Sequence, residues 1–475
     1  MSSKSRGYFY VGWATTLNII LNALTFGRFL WLEGRVRGGI FKNWARRFGY
    51  EPAIYELPVS EESIIEIVRN SNTIRVFGAG HSFNEGVVSG ETLVSLDKYT
   101  GVATADLLNK LVTFRGGTRI RDAIRILNSY GLTFSSLPSH DAQSVAGIIS
   151  TDVHGTGRDW GFVSQLVESI KIIDGNGDVH ICLPSDDLFR AAIGGVGAIG
   201  IISEVTIKAV DRFNLEQVCL MRSLSEVESD LDKLIDENDH VSLYIFPFAD
   251  KCQVNIWNNS TKEKSFLSQL REFINISLDA FTSAWLGNLM AYTGTLNSFS
   301  DFAYLFKRKT DLVMESDKGF TRSIYHLHQE FEFTVPFEEA IARCTEFLKL
   351  YENMYLKEPR ALPYTLLEVR FTPAGHDRTL IGAGRERRCC WIDLICNDSH
   401  GFEKYYAAAE DRIKNILGRP HLGKFGTTFD REYMAKIHGE NLETLCRLID
   451  KHDPHGKFVN DFTRGLFFEE PRVQA

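Results

Sequence analysis

The chain reads as an α+β protein of two domains, and three observations carry that reading. Its 475 residues, 44% hydrophobic and 24% charged, suffice for more than one buried core. Short strand-like and helix-like stretches alternate through the first 210 residues without a long doubly wound repeat. Beyond about Asp211 the motif density falls, and strands such as Val241-Ser242-Leu243-Tyr244-Ile245-Phe246 mark a second region reaching to about Pro420.

Taken in order, residues 7–27 carry no charge and are rich in Tyr, Phe, Val, Ile and Leu. Thr15, Thr16, Asn18, Asn22 and Thr25 dilute the stretch and Arg28 ends it, so it is not a clean span of about 20 apolar residues. Residues 1–40 could span or lie on a membrane, and an interfacial anchor or a helix packed on the domain fits them at least as well. No small-residue cleavage site precedes Glu33-Gly34-Arg35-Val36-Arg37, which disfavours a removed signal. Ser60 with Glu61 and Glu62 caps a helix carrying Ile64, Ile65, Ile67 and Val68, and a strand then runs through residues 73–77. Val112-Thr113-Phe114 is a strand, and Ile120, Ala123, Ile124 and Leu127 fall at helical spacing until Gly131. Residues 166–173 form a strand, Asp174-Gly175-Asn176-Gly177-Asp178 a turn, and residues 179–182 its hairpin partner. Residues 273–306 form a second apolar stretch with Asp279 and Asp301 as its charges; core helices are the default, a membrane-facing patch the sharper alternative.

Two glycine turns hold the chemistry. Gly78-Ala79-Gly80-His81-Ser82-Phe83-Asn84 follows the strand at 73–77, where glycines turn the backbone tightly and aim consecutive N–H groups at an anion such as a pyrophosphate. Val153-His154-Gly155-Thr156-Gly157 repeats the combination of glycine, histidine and hydroxyl. Taken singly, either is a strand-ending turn with a solvated histidine; together they point to a flavin enzyme, with His81 as a nucleophile placed to tether the flavin. Gly195-Val196-Gly197-Ala198-Ile199-Gly200 matches GxGxxG, but a helical segment precedes it and a strand follows, the reverse of the dinucleotide fingerprint. A Rossmann site is therefore rejected. In the second region, alternation puts His326, His328, Glu330 and Glu332 on one strand face. A metal site is conceivable there, but a polar face, solvated or lining a cavity, is far commoner and nothing nearby completes a ligand set; no metal is expected. Glu368 and Arg370 share a face of the strand at 366–371.

A formal charge of −8 with no long basic run argues against nucleic acid as a partner. The eight cysteines show neither zinc spacing nor a CxxC pair and read as mostly reduced, buried thiols, so the compartment is reducing, either cytoplasmic or on the face of a membrane.

The order of these motifs resembles the vanillyl-alcohol-oxidase-type flavoproteins, in particular the sugar-lactone and alditol oxidases. The matching pieces are Gly78-Ala79-Gly80-His81-Ser82, Phe114-Arg115-Gly116-Gly117-Thr118, Leu137-Pro138-Ser139-His140-Asp141-Ala142-Gln143-Ser144-Val145-Ala146-Gly147 and His154-Gly155-Thr156-Gly157. Later pieces are the Glu368/Arg370 pair, Gly418-Arg419-Pro420-His421-Leu422-Gly423-Lys424, and residues 453–462 from Asp453 to Phe462. The resemblance implies a bipartite α+β FAD-binding domain over residues 41–210, a substrate cap over 211–417, and a segment at 418–475 returning to the FAD domain. It implies FAD held by Gly78, Ala79, Gly80, His81, Ser82, Phe83, Asn84, Ser139, Gln143, Ser144, Gly147, His154, Gly155, Thr156, Gly200, Ile202 and Val205, with covalent attachment through His81. His154 reads as structural on the phosphate-side turn, and Ser144 either reaches the flavin or belongs to a small-residue packing segment. Glu368, Arg370, Lys424 and His421 are the implied catalytic group, Arg370 holding substrate oxygens and Glu368 orienting the hydroxyl or assisting its deprotonation. Leu422 replaces the tryptophan usual in this motif, which alters the pocket's shape.

The expected activity is oxidation of a CH–OH group of a polyol or aldonolactone by hydride transfer to flavin N5, with O2 as acceptor. A dehydrogenase passing electrons to a quinone or cytochrome is the close alternative, and a flavin-binding interaction protein without catalysis the distant one. Membrane association through the amino-terminal segment stays open.

Overall fold

The computed structural model describes residues 33–263, 270, 271, 274, 286–298, 310–321, 327–397 and 401–468. The apolar stretch at 7–27, His326 and much of the stretch at 273–306 lie outside the described residues. Among those described, no helix is long and apolar enough to cross a membrane.

Helix Glu61–Asn70 begins where the Ser60 hydroxyl accepts from Ser63 N, and it buries Ile64 and Val68 against the first of three sheets that frame the site. That sheet is parallel: Ile54–Glu56 and Ile74–Phe77 flank the central Thr92–Ser95. The 78–84 loop therefore leaves the carboxyl end of a parallel strand, the usual place for a ligand in such sheets.

The second sheet is antiparallel, in the order Val179–Cys182, Val167–Ile173, Ile201–Lys208, Leu111–Arg115, Val102–Asp106. The 174–178 turn joins the first two as the expected hairpin. Short helix Val145–Ser150, capped by Ser144, packs on Ile201–Lys208, and helix Ile120–Ser129 ends just before Gly131, whose φ of +77° favours glycine. Helix Asp187–Ala192 precedes the 195–200 turn and a strand follows it, the order that ruled out a Rossmann site.

The third sheet has eight antiparallel strands, in the order Thr310–Glu315, Asn214–Ser223, Lys251–Ser260, His240–Ile245, Thr365–Thr372, Cys389–Asn397, His328–Pro336 and Arg419–Pro420. Alternation along His328–Pro336 sends Phe331, Phe333 and Val335 into the core under helices Ala340–Lys357 and Phe402–Asn415, leaving His328, Glu330 and Glu332 on the opposite face. Tyr406 ties helix to sheet, its hydroxyl reaching Gln329 O and Leu394 O.

The sheets are stitched at two places. Thr156 Oγ1 reaches Val241 O at 2.5 Å and accepts from Phe371 N at 3.1 Å, while Gly157 N donates to Phe371 O. At the other end Ile74 N donates to Lys457 O, and Asn460 Nδ2 faces the carbonyls of Glu85, Gly86 and Val88. All eight cysteines are buried and none forms a disulfide.

Val205, expected to touch the cofactor, sits between Ile170 and Phe114 in the middle of the five-stranded sheet and is fully buried. Its side chain packs in the core because its neighbour Glu204 takes the other face, against Lys171. Val205→Ala should cost about 2 kcal/mol in urea unfolding of the flavin-loaded protein, with flavin content unchanged; loss of flavin at unchanged stability would contradict this placement.

Candidate active site

The 78–84 loop is held from behind. Gly34 N donates to Ala79 O at 2.6 Å and Trp44 N to Gly80 O at 2.8 Å. A Cβ on Gly80, whose φ is +64°, would come 2.7 Å from Gly34 Cα, so the two backbones touch because neither carries a side chain. A Cβ on Gly78 would lie 2.0 Å from Ser144 Oγ, which caps helix Val145–Ser150 through Gly147 N. From the front, Phe83 N donates to Gly423 O, and Asn84 Nδ2 donates to Leu422 O at 2.6 Å and Lys424 O at 2.9 Å. The 421–424 segment continues the edge of the eight-stranded sheet, with His421 N on Glu332 O and Phe425 N on Glu330 O.

These loops enclose a cleft with about 1500 Å³ of empty space, its open mouth included. Of the residues proposed from sequence, Gly78 through Asn84, Ser139, Gln143, Ser144, Gly147, His154, Gly200, Ile202, Arg370, His421 and Lys424 line it. Gly155, Thr156, Val205 and Glu368 do not. Gly155 is packed on Leu137 O, and Thr156 spends its hydroxyl on the stitch to the large sheet. His154 turns away from the glycine loop: it stacks on Trp391 at 3.6 Å and its Nε2 meets Glu332 Oε1 at 3.1 Å.

His81 lies in a group of rings, stacked on Trp44 at 5.0 Å and 4.2 Å from the ring of His140. Burial, and then His81 beside it, keep His140 well below the usual histidine range. The buried guanidinium of Arg75 reaches four carbonyls, those of Gly86, Val196, Gly197 and Phe458. Burial lowers its pKa to about 10, so it stays charged at the cleft wall beside the glycine loop.

At the other end of the cleft, strand register lines up Tyr244, Glu368, Asp393 and Glu332 as cross-strand neighbours. Arg370 reaches Glu368 at 3.3 Å, Glu332 at 3.5 Å and Asp393 at 3.7 Å. Lys424 pairs with Glu330, with Asp393 at 3.1 Å and with Glu332 at 3.6 Å. Burial opposes charge on Glu330 and Glu332, yet Lys424 beside both holds them below the usual carboxylate range. Burial and Glu330 push Asp393 well above that range. Burial alone would lower Arg370 and Lys424, but the surrounding carboxylates raise both. Glu368 accepts from the Tyr244 hydroxyl at 3.1 Å and stands behind Arg370 rather than on the cleft wall.

FAD fits this set of residues. Gln143 Oε1 and Arg370 Nε are buried at the cleft without a hydrogen-bond partner among the described residues, and the glycine backbone, the Ser144-capped helix and Arg75 offer an anion site. Trp44, Arg75 and Asp393 carried no sequence signal: each belongs to the site because of which loops converge on it, not through a motif.

Burial lowers the pKa of His421 to about 4. Its unfolded value is about 6.5, so between these pH values the unfolded chain binds a proton the folded one refuses, and stability falls as pH drops through that window by about 3 kcal/mol. His421→Gln should flatten that part of the stability profile, measured by urea unfolding at intervals from pH 7 to 4; a parallel profile would show that His421 is not held neutral.

Similarity to known proteins is consistent with this geometry. The family description D-arabinono-1,4-lactone oxidase matches residues 205–466, and FAD binding domain matches residues 52–183. L-gulonolactone oxidase of Bos taurus is 26% identical over 451 residues, covering 91% of this chain and 99% of its own. L-gulono-1,4-lactone dehydrogenase of Mycobacterium tuberculosis is also 26% identical, covering 90% and 98%. Among solved structures, a histidine-to-alanine variant of cholesterol oxidase from Brevibacterium sterolicum shares the fold with a TM-score of 0.73 at 16% identity, covering 91% of this chain and 98% of its own.

Proposed function

The chain belongs to the D-arabinono-1,4-lactone oxidase family of FAD-linked oxidoreductases, and on that premise we propose that it oxidises a CH–OH group of an aldonolactone or polyol, with the flavin joined covalently to His81 and O2 as acceptor. The observation that carries this reading is that one cleft holds both the glycine loop with His81 and, at its other end, the cations Arg370 and Lys424.

When bound, FAD supplies the hydride acceptor. The chain supplies position and field. Arg370 presents its unpartnered Nε to a substrate oxygen, and Glu368, tied to Tyr244, is a positioning residue that fixes the guanidinium plane. Lys424 keeps a full positive charge in a water-poor site, where a fixed cation stabilises developing negative charge. His421 is neutral; its Nδ1 accepts from Gly423 N, which leaves the proton on Nε2 as a donor. Glu330 and Glu332 hold protons weakly, so they orient and balance the cations rather than act as bases. For the tether, His81 stands on the glycine loop at the cleft wall, its ring 4.2 Å from that of His140.

The relatives include an oxidase and a dehydrogenase at the same 26% identity, so the acceptor is decided by assay. Acid-precipitated wild-type protein should keep its yellow colour in the washed pellet and His81→Ala should not; colour released from the wild type would rule out the tether and leave the fold intact. With aldonolactones and alditols as substrates, Lys424→Met should lower kcat on the order of 10²–10³-fold at unchanged flavin content. Turnover with dye acceptors but none with O2 would replace the oxidase reading by the dehydrogenase one, and retained kcat in Lys424→Met would remove its electrostatic role.

A further inference from the structure

A second cluster of ligand-type side chains lies away from the cleft, on the hairpin of the five-stranded sheet. Asp174 opens the 174–178 turn, His180 follows on strand Val179–Cys182, and His452 ends helix Glu440–His452. His180 Nε2 lies 2.7 Å and His452 Nδ1 3.3 Å from the same oxygen, Asp174 Oδ2. The three ligand atoms all lie within 4.8 Å of one another. The two rings meet edge to face at 4.9 Å, so their nitrogens converge rather than stack.

From this geometry we infer that Asp174, His180 and His452 form a binding site for a divalent transition-metal ion, of which zinc is the type. Two imidazoles and one carboxylate form a donor set suited to zinc, cobalt or nickel rather than to calcium or magnesium. With bonds of 2.0–2.2 Å, ligand atoms of a tetrahedral ion lie about 3.4 Å apart. The His452 contact is already at that spacing, and the His180 contact opens by about 0.7 Å as each N–H···O contact gives way to a bond through a nitrogen freed of its proton.

The carboxylate is oriented as metal ligands are, because its second oxygen accepts from Asn176 N at 2.9 Å and Asp178 N at 3.0 Å. The third ligand is brought in by backbone: Gly175 N donates to His452 O, and a Cβ on Gly175 would lie 2.3 Å from Asp453 Oδ1. Asp174 and His452 are buried, whereas the His180 side chain is 31% exposed, so the fourth position opens to water on that side. An ion here would clamp the 440–458 segment, which supplies the Phe458 carbonyl to Arg75, onto the hairpin.

The test is zinc binding to the flavin-loaded full chain after chelator dialysis, read by equilibrium dialysis with metal analysis and by thermal unfolding. One zinc per chain is expected, with a rise in Tm, and affinity lower by at least the roughly 10–100-fold that loss of an outer-shell partner costs in His180→Gln and in His452→Gln, each of which removes a ligand. His180, half-exposed, is the variant least exposed to a folding defect, and His455→Gln serves as the control that keeps the site. No bound zinc in the wild type, or equal binding in wild type and His180→Gln, would overturn the site. Binding lost only with His421→Gln would place the ion in the cleft and overturn it equally.

Discussion

One water-poor face of the large sheet carries two cations and four carboxylic acids, and the cleft depends on how those charges are balanced. At the 3–4 Å separations seen around Lys424 and Arg370, charge interactions are several-fold stronger than in water, and any unpaired member would be costly. Lys424 has Glu330, Glu332 and Asp393 as neighbours and Arg370 has Glu368, Glu332 and Asp393, so two acids are shared, and burial and Glu330 push the shared Asp393 above the usual carboxylate range. Removing one cation would therefore disturb the ionisation of the whole row. Arg370 meets these acids through Nη2 alone, Glu332 and Asp393 being shared with Lys424 and Glu368 not, while its Nε is without a hydrogen-bond partner among the described residues.

The glycine loop and this charged row are brought together by backbone rather than by side-chain affinity. Asn84 holds the carbonyls of Leu422 and Lys424, so the residue that ends the loop also sets the height of the lysine. Arg75 does the same at the opposite end, binding three separate segments through carbonyls alone. A guanidinium answered only by carbonyl dipoles retains its field, which a carboxylate partner would have cancelled.

Much of this was legible in the sequence where the signal is local. The Ser60 cap, the 174–178 hairpin, the reversed order around the GxGxxG turn and the alternation along 328–333 each follow from residues within a few positions, and each is where expected. The glycine loops were visible because φ and close approach demand glycine. What was not legible is register between distant strands. Nothing local to Asp393 tells that it stands between Glu332 and Glu368, because that depends on strands separated by some sixty residues in sequence. Glu368 was read correctly as sharing a face with Arg370, but whether that pair reaches the cleft or backs it is a matter of depth. Val205 and Thr156 were drawn in by proximity to motifs, and their side chains turn to the core and to the large sheet. His328, Glu330 and Glu332 were read as a polar face, and the cleft against which they lie is made by loops from both ends of the chain.

Those loops impose an order on biosynthesis. The walls draw on residues from Gly34 to Lys424, and the Arg75 side chain is satisfied only when Phe458 is in place. Between Asn84 and Phe458 lie 373 residues, and at roughly 5–20 residues per second a ribosome needs about 20–75 s to make them. Through most of that interval the glycine loop has been made but the 421–424 segment facing it has not. The cleft is thus completed late in synthesis, and a chain shortened just before Phe458 lacks one of the four carbonyls that hold the Arg75 side chain.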